Sequence, residues 1–315
     1  MAEFHISEES LTPLKDKVVL ITGSSSGIGK ATVQLCLHHG AKVIAGDINP
    51  FPADFLQEQT SPEALAHSPE YHSQNLLFIQ TDVSNWSSIR NLFTRGLERF
   101  GGIDHVFANA GIGPRTNFLE EVFEDETKEE QLLAPPDLKV LEVNLIGTIY
   151  TVRLGVHYLR RSEQRETEIE LSPSITVTAS ASAFQDFAAG DYTVAKHGVL
   201  GILRGLYSDL RQPHPEGKEW RSVRLNAIAP SWTATGIAPG DVLRSLGAHV
   251  QEPEYVARSV VMLFNDKARN GELIYSWEGR YCEINRCAGG LLDGVARVVR
   301  NVAEEGSIME KWKGR

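Results

Sequence analysis

No stretch of the chain approaches the ~20 consecutive apolar residues that a bilayer-spanning helix needs, so no membrane partner is expected. There is no Lys/Arg-rich run, and the formal net charge is −10. The basic stripe that nucleic-acid binding requires is therefore missing, while the acidity favours solubility. Cysteine is scarce: Cys36, Cys282 and Cys287 form an odd set. They make neither a disulfide framework nor the Cys/His spacing of a zinc site, and read as reduced thiols. The opening MAEFHISEES is acidic and lacks the apolar segment of a secretory signal. Repeats and low-complexity tracts are lacking as well. The expectation is a soluble, cytoplasmic, metal-free protein whose partner is a small molecule.

What is present is enough for one large α/β domain over 1–315, with its core at about 15–290. Short β-branched or apolar runs at 17–22, 42–45, 76–80, 105–108, 174–178, 221–227 and 273–277 read as strands. Helical periodicity occupies 28–39, 87–100, 138–161, 191–210 and 252–264, with Ser84 or Asn85 capping the second. Strands separated by crossover helices predict a doubly wound parallel sheet of about seven strands, helices on both faces. The polar stretches 49–74 and 112–137 read as variable insertions. Residues 236–250, with Gly236, Pro239, Gly240 and Gly247, read as a closing lid.

The segment Thr22-Gly23-Ser24-Ser25-Ser26-Gly27-Ile28-Gly29 joins the first strand to the first helix. Glycine lets a backbone turn tightly and approach a ligand without a Cβ. The helix that follows offers unpaired N–H groups and a partial positive charge. Both suit a pyrophosphate. Asp47 closes the second strand, where a carboxylate can accept hydrogen bonds from free ribose hydroxyls and would repel a 2′-phosphate. No base lies inside TGSSSGIG, and Ile48-Asn49 follow the acid. NAD(H) is expected in preference to NADP(H).

Tyr192 and Lys196 stand four residues apart on a helix and share a face. A free phenol, with pKa near ~10, is a poor base at neutral pH. An ammonium within ~4 Å favours phenolate by up to ~4 kcal/mol at an effective dielectric of ~20, a shift of nearly ~3 units. Tyr192 would then take an alcohol proton, or give one to a carbonyl. Alone, such a pair is ordinary helix packing; the glycine-rich turn and Asp47 give it chemical meaning. Asn144 lies inside the long helix, where asparagine is a poor resident and needs a reason. His197 adjoins Lys196 but falls on another side of its helix.

The order of these motifs resembles the short-chain dehydrogenase/reductase family, a Rossmann type. TGxxxGIG is followed by Asp82-Val83, by Ala108-Asn109-Ala110-Gly111, by Asn144, by Ser180, by Tyr192-x-x-x-Lys196 and by Pro230-Ser231-Trp232-Thr233-Ala234-Thr235. The resemblance covers roughly 15–290. Phrases such as VFANAGI, TASASAF and KHGVLGILRGL resemble fungal members similar to hydroxyprostaglandin dehydrogenase, many of which tailor secondary metabolites. The family usually has Asn-Asn-Ala-Gly where Ala108-Asn109-Ala110-Gly111 stands, and Pro-Gly where Pro230-Ser231 stands; neither change removes a catalytic group.

The resemblance implies a catalytic set of Asn144, Ser180, Tyr192 and Lys196. Ser180 would position the substrate oxygen, with Ser182 the second serine in reach. Lys196 would also hold the nicotinamide ribose, and Asn144 a water linking Lys196 to solvent. It implies cofactor contacts from Gly23, Ser25, Ser26, Gly27, Ile28, Gly29, Asp47, Asp82, Val83, Asn109, Ala110, Gly111, Tyr192, Lys196, Pro230, Trp232, Thr233 and Thr235. Trp232 reads equally as core or as a flank of the nicotinamide. Thr235 reads as a carboxamide contact or a helix cap. Walls at 113–115, 183–187, Trp232 and 236–250, with Phe184 and Phe187, suggest an apolar alcohol or ketone substrate. Relatives pair the helices corresponding to 138–161 and 191–210, so a homodimer or homotetramer is expected. A non-redox isomerase, dehydratase or cyclase on the same scaffold stays open. A non-catalytic NAD-binding regulator would not need the proton-handling residues.

Overall fold

The computed structural model describes residues 3–50, 70–115, 135–161, 172–212 and 220–299, together with positions 52 and 308. Most of the two insertions falls outside these residues. Among the described residues ten strands form one sheet: β1 Glu3–Phe4, β2 Val18–Thr22, β3 Lys42–Asp47, β4 Glu70–His72, β5 Leu76–Gln80, β6 His105–Ala108, β7 Ser174–Thr178, β8 Arg224–Pro230, β9 Leu273–Trp277 and β10 Arg280–Glu283. Their order is β1-β10-β9-β8-β7-β6-β2-β3-β5-β4. The seven central strands are parallel, as expected. The three flanking strands pair antiparallel, and at two to four residues each they were too short to announce themselves in the sequence.

The helices are α1 Gly27–His38, α2 Trp86–Phe100, α3 from Lys139 to Arg161, α4 Gly190–Leu206, α5 Gly240–Ser245, α6 Pro253–Asn265 and α7 Leu291–Val298. Alternation along the strands feeds two cores. Val18 and Leu20 point to one face, with Phe93 and Leu203. Val19 and Ile21 point to the other, with Val260 and Phe264. Asn85 is the cap of α2, its side chain accepting from the Ser88 N–H at 3.0 Å.

Several boundaries differ from expectation, among them α4, which stops at Leu206 rather than at 210. The sixth parallel strand begins at Arg224 and runs to Pro230, three residues beyond the expected 221–227. A strand buried on both faces reads as one continuous run, and here that run includes the Arg224 side chain, whose Nη atoms serve the Leu263, Phe264 and Asp266 carbonyls at the end of α6. The long helix α3 is not uniform. Glu142–Ile146 is a π-helical turn centred on Asn144, between α-helical Lys139–Leu141 and Gly147–Arg161.

Candidate active site

A cavity of about 750 Å³ opens at the carboxyl ends of the parallel strands. This is where an open α/β sheet binds ligands. It runs from Ile48 and Val83 past the glycine-rich turn to Ser180, Tyr192 and Trp232.

The turn is built as a cradle. Gly23 and Gly27 have φ of +69° and +51°, conformations that side chains resist. A Cβ on Gly29 would overlap the Gly23 carbonyl, and one on Gly23 would lie 2.7 Å from the Ala110 Cα. Ser26 precedes α1 without a side-chain cap, so the first N–H groups of that helix remain free for an anion. The buried hydroxyls of Ser24 and Ser25 have no hydrogen-bond partner. Uncapped helix, orphaned hydroxyls and space without Cβ atoms together fit a dinucleotide's phosphates.

Asp47 ends β3 with its carboxylate almost fully buried. Oδ2 accepts from the Ser25 N–H at 2.9 Å and Oδ1 from the Asn49 N–H at 2.8 Å. The acid therefore fixes the turn as well as facing the cavity. Asp82 accepts from the Ser84 hydroxyl at 2.6 Å and lines the same end.

The next strand ends are tied together by Asn109. Its Nδ2 donates to the Thr22 and Gly23 carbonyls at 3.1 and 3.2 Å, and its Oδ1 accepts from the Thr178 hydroxyl at 3.2 Å. The π turn has a comparable origin. Asn144 is fully buried; its Oδ1 accepts from the Ile112 N–H at 2.8 Å and its Nδ2 donates to the Ile112 carbonyl at 2.9 Å. The π turn thus carries an amide bonded on both its oxygen and its nitrogen to one backbone residue beside Gly111.

Ser180, Tyr192 and Lys196 converge. The Ser180 hydroxyl sits beside the Tyr192 phenol in the cavity wall, close enough to favour the phenolate. Lys196 Nζ lies 5.4 Å from the Tyr192 ring centre and donates to the Thr178 carbonyl at 2.8 Å. Burial brings the Lys196 pKa down from 10.5 to about 8. The phenol departs from the sequence expectation. Burial pushes the Tyr192 pKa up, and the neighbouring Ser180 hydroxyl only partly opposes it. An ammonium turned toward a carbonyl does not overcome desolvation of the phenolate.

Ser182 is not equivalent to Ser180: its hydroxyl lies 2.9 Å from that of Thr193, which itself donates to the Phe187 carbonyl. His197 is exposed, its Nδ1 set 2.9 Å from the Thr193 carbonyl, away from the cavity.

Of the expected cofactor residues, Gly23, Ser26, Gly27, Ile28, Asp47, Asp82, Val83, Asn109, Ala110, Gly111, Pro230, Trp232, Thr233 and Thr235 line the cavity. Ser25 and Gly29 do not, and neither does Asn144 of the expected catalytic set, whose side chain is bonded to Ile112. Trp232 is 40 % exposed and tilted against Phe187 at 5.4 Å, so it is wall rather than core. Phe184 instead packs edge-on against Tyr275 at 5.9 Å and is no part of the wall. Sequence reasoning missed Lys139, Val143 and Thr81, which also line the cavity, because they belong to no motif.

The model of the short chain dehydrogenase family matches residues 17–242. The chain belongs to this family. A short-chain dehydrogenase/reductase of Acremonium egyptiacum, ascJ, is 37% identical over 310 residues, 98% of this chain and 93% of the relative. Human 15-hydroxyprostaglandin dehydrogenase [NAD(+)] is 26% identical over 276 residues, 82% and 90% of the two chains. The ligand-free aldohexose dehydrogenase of Thermoplasma acidophilum shares the fold, with a TM-score of 0.60 at 22% identity, covering 85% of this chain and 95% of that one. The protein is thus an oxidoreductase of the short-chain dehydrogenases, a family that uses NAD(P) on small molecules. No helix among the described residues is long and apolar enough to cross a membrane.

Proposed function

We propose that this short-chain dehydrogenase interconverts a secondary alcohol and a ketone with NAD(H), Tyr192 acting as general acid/base. The observation that carries the reading is the Ser180–Tyr192–Lys196 convergence at one end of a cavity whose other end is the phosphate cradle. Gly23 to Gly29 would hold the pyrophosphate and Asp47 the adenosine ribose. Lys196 would hold the second ribose, and Thr233 with Thr235 the carboxamide. Bound there, the nicotinamide supplies or accepts the hydride.

The protein's own residues handle the proton and the oxygen. Ser180 holds the substrate oxygen within reach of the phenol. Tyr192 takes the alcohol proton in oxidation and returns it in reduction. A cationic ring beside the phenol would lower its raised pKa. Asp47 supports NAD(H) over NADP(H), in line with the NAD(+) named for the human relative. Phe187, Trp232, Ile237 and Val242 support an apolar substrate. Exposed Ile146 and Ile149 on α3 and Val194 on α4 support a homodimer or homotetramer.

The test is a screen of secondary alcohols and cyclic ketones followed by the absorbance of the reduced cofactor. The expected result is turnover with NAD(H) that Tyr192→Phe lowers by ~10²–10⁴-fold. Product formed without cofactor turnover would replace this reading with a non-redox isomerase, dehydratase or cyclase.

A further inference from the structure

Residues 235–250 wall the far side of the cavity with Ile237, Pro239, Val242 and Leu243. They are lightly packed on the body. Within α5 only Gly240 and Leu243 are buried, and Val242 and Leu246 face solvent. The Arg244–Glu252 ion pair at 2.5 Å is half exposed on both sides, and such pairs hold little.

The segment leaves the body at Thr233 and returns at Gln251, and these two residues pair as an isolated parallel bridge. Gln251 N–H donates to the Trp232 carbonyl at 3.0 Å, and Ala234 N–H donates to the Gln251 carbonyl at 2.9 Å. The Gln251 side chain adds a second tier. Its Nε2 lies 2.9 Å from the Ser276 carbonyl, 3.1 Å from the Ser276 hydroxyl and 3.3 Å from the Thr233 hydroxyl, so its two N–H groups are shared among three acceptors. Thr233 Oγ1 has its own proton committed to the Ser231 carbonyl at 2.8 Å, so it can only accept from Gln251. Gln251, Thr233 and Ser276 are all buried, and Gln251 Oε1 has no partner. The site uses the donor end of the amide and leaves the acceptor end idle.

We propose that Gln251 is a positioning residue: it staples the neck of the lid to the end of β9, so that Trp232 and Thr233 keep facing the nicotinamide end while the lid beyond them moves. What the neck serves rests on the cofactor reading above; the staple itself does not. Gln251→Glu is isosteric but sets a carboxylate oxygen against the Ser276 carbonyl, and it should open the neck.

Hydrogen exchange without ligand reads the staple directly. Peptides covering 232–236 and 248–252 should exchange about tenfold faster in the variant, with peptides from β8 unchanged. Equilibrium titration reads the positioning. Affinity for NAD+ should fall about tenfold, while ADP-ribose, which lacks the nicotinamide, should bind within about twofold of wild type. Should Gln251→Glu unfold the protein, visible as fast exchange in β8, Gln251→Met removes the donor without adding charge and carries the same expectations. Unchanged neck exchange, or equal losses for NAD+ and ADP-ribose, would overturn the proposal. A wild-type protein that binds neither ligand would instead strike the cofactor reading, and the exchange result would still decide the staple.

Discussion

Lys196 donates to the Thr178 carbonyl at 2.8 Å, and that same residue's hydroxyl donates to Asn109 at 3.2 Å. The buried ammonium is therefore joined through Thr178 and Asn109 to the Gly23 carbonyl of the phosphate cradle. The group proposed to assist proton transfer and the group proposed to hold phosphate are parts of one hydrogen-bonded strand-end network.

The lowered Lys196 pKa has a consequence for stability. In the folded protein it titrates near 8, against 10.5 for a free side chain. Between those values the unfolded chain binds more protons, so stability rises with pH over this window. Below about pH 8 the folded state carries the full cost of the buried charge, on the order of 3 kcal/mol. Lys196→Met should abolish turnover, yet raise the stability at neutral pH and flatten its rise between pH 8 and 10. Urea unfolding across that range checks it; a variant less stable than wild type at pH 7 would contradict the assignment.

Asp47→Ala removes an acceptor from the Ser25 and Asn49 N–H groups as well as the proposed ribose contact. The kcat/KM with NAD+ should fall about tenfold or more, and that with NADP+ should fall less, narrowing the preference. Steady-state kinetics with both cofactors measures this. A wild-type enzyme that prefers NADP(H) would refute the role given to the acid.

Asn144→Ala leaves the Ile112 N–H and carbonyl without their partner. The expected cost is on the order of 1–3 kcal/mol for each group left unsatisfied. Denaturant unfolding should show it, together with a higher KM for the cofactor as the 111–115 backbone loosens. An unchanged unfolding midpoint would show that the π turn does not depend on this side chain.

The apolar faces of α3 and α4 predict association. Light scattering at micromolar concentration should give a dimer or tetramer, and Ile149→Glu should shift it toward monomer, since Ile149 is 41 % exposed on α3. A monomeric wild type would remove the proposal.

Much of this was legible in the sequence because the chemistry sits at strand ends. The runs that became β2, β3, β6 and β7 end at Thr22, Asp47, Ala108 and Thr178, so the motifs just after them had to share one edge of a parallel sheet. Asn144 was legible as an anomaly, an amide where a helix wants none. Gln251 was not, because its role depends on Thr233 and Ser276, 18 and 25 residues away, meeting it in space. The aromatic pair was half legible: Phe187 and Phe184 look alike in sequence, but only Phe187 meets Trp232, while Tyr275 takes Phe184. The phenol's raised pKa was hidden too, since spacing gives the charge on Lys196 but not the carbonyl it faces.

Titration of the Tyr192 phenol by tyrosinate absorbance, with and without NAD+, tests the central claim without knowing the substrate. In the empty protein the Tyr192 signal, taken as the difference from Tyr192→Phe, should titrate above 10, as burial requires. Saturating NAD+ should bring it below 10, toward the range where the phenol works as a base. A Tyr192 titration that stays where it was once NAD+ is bound would contradict the account.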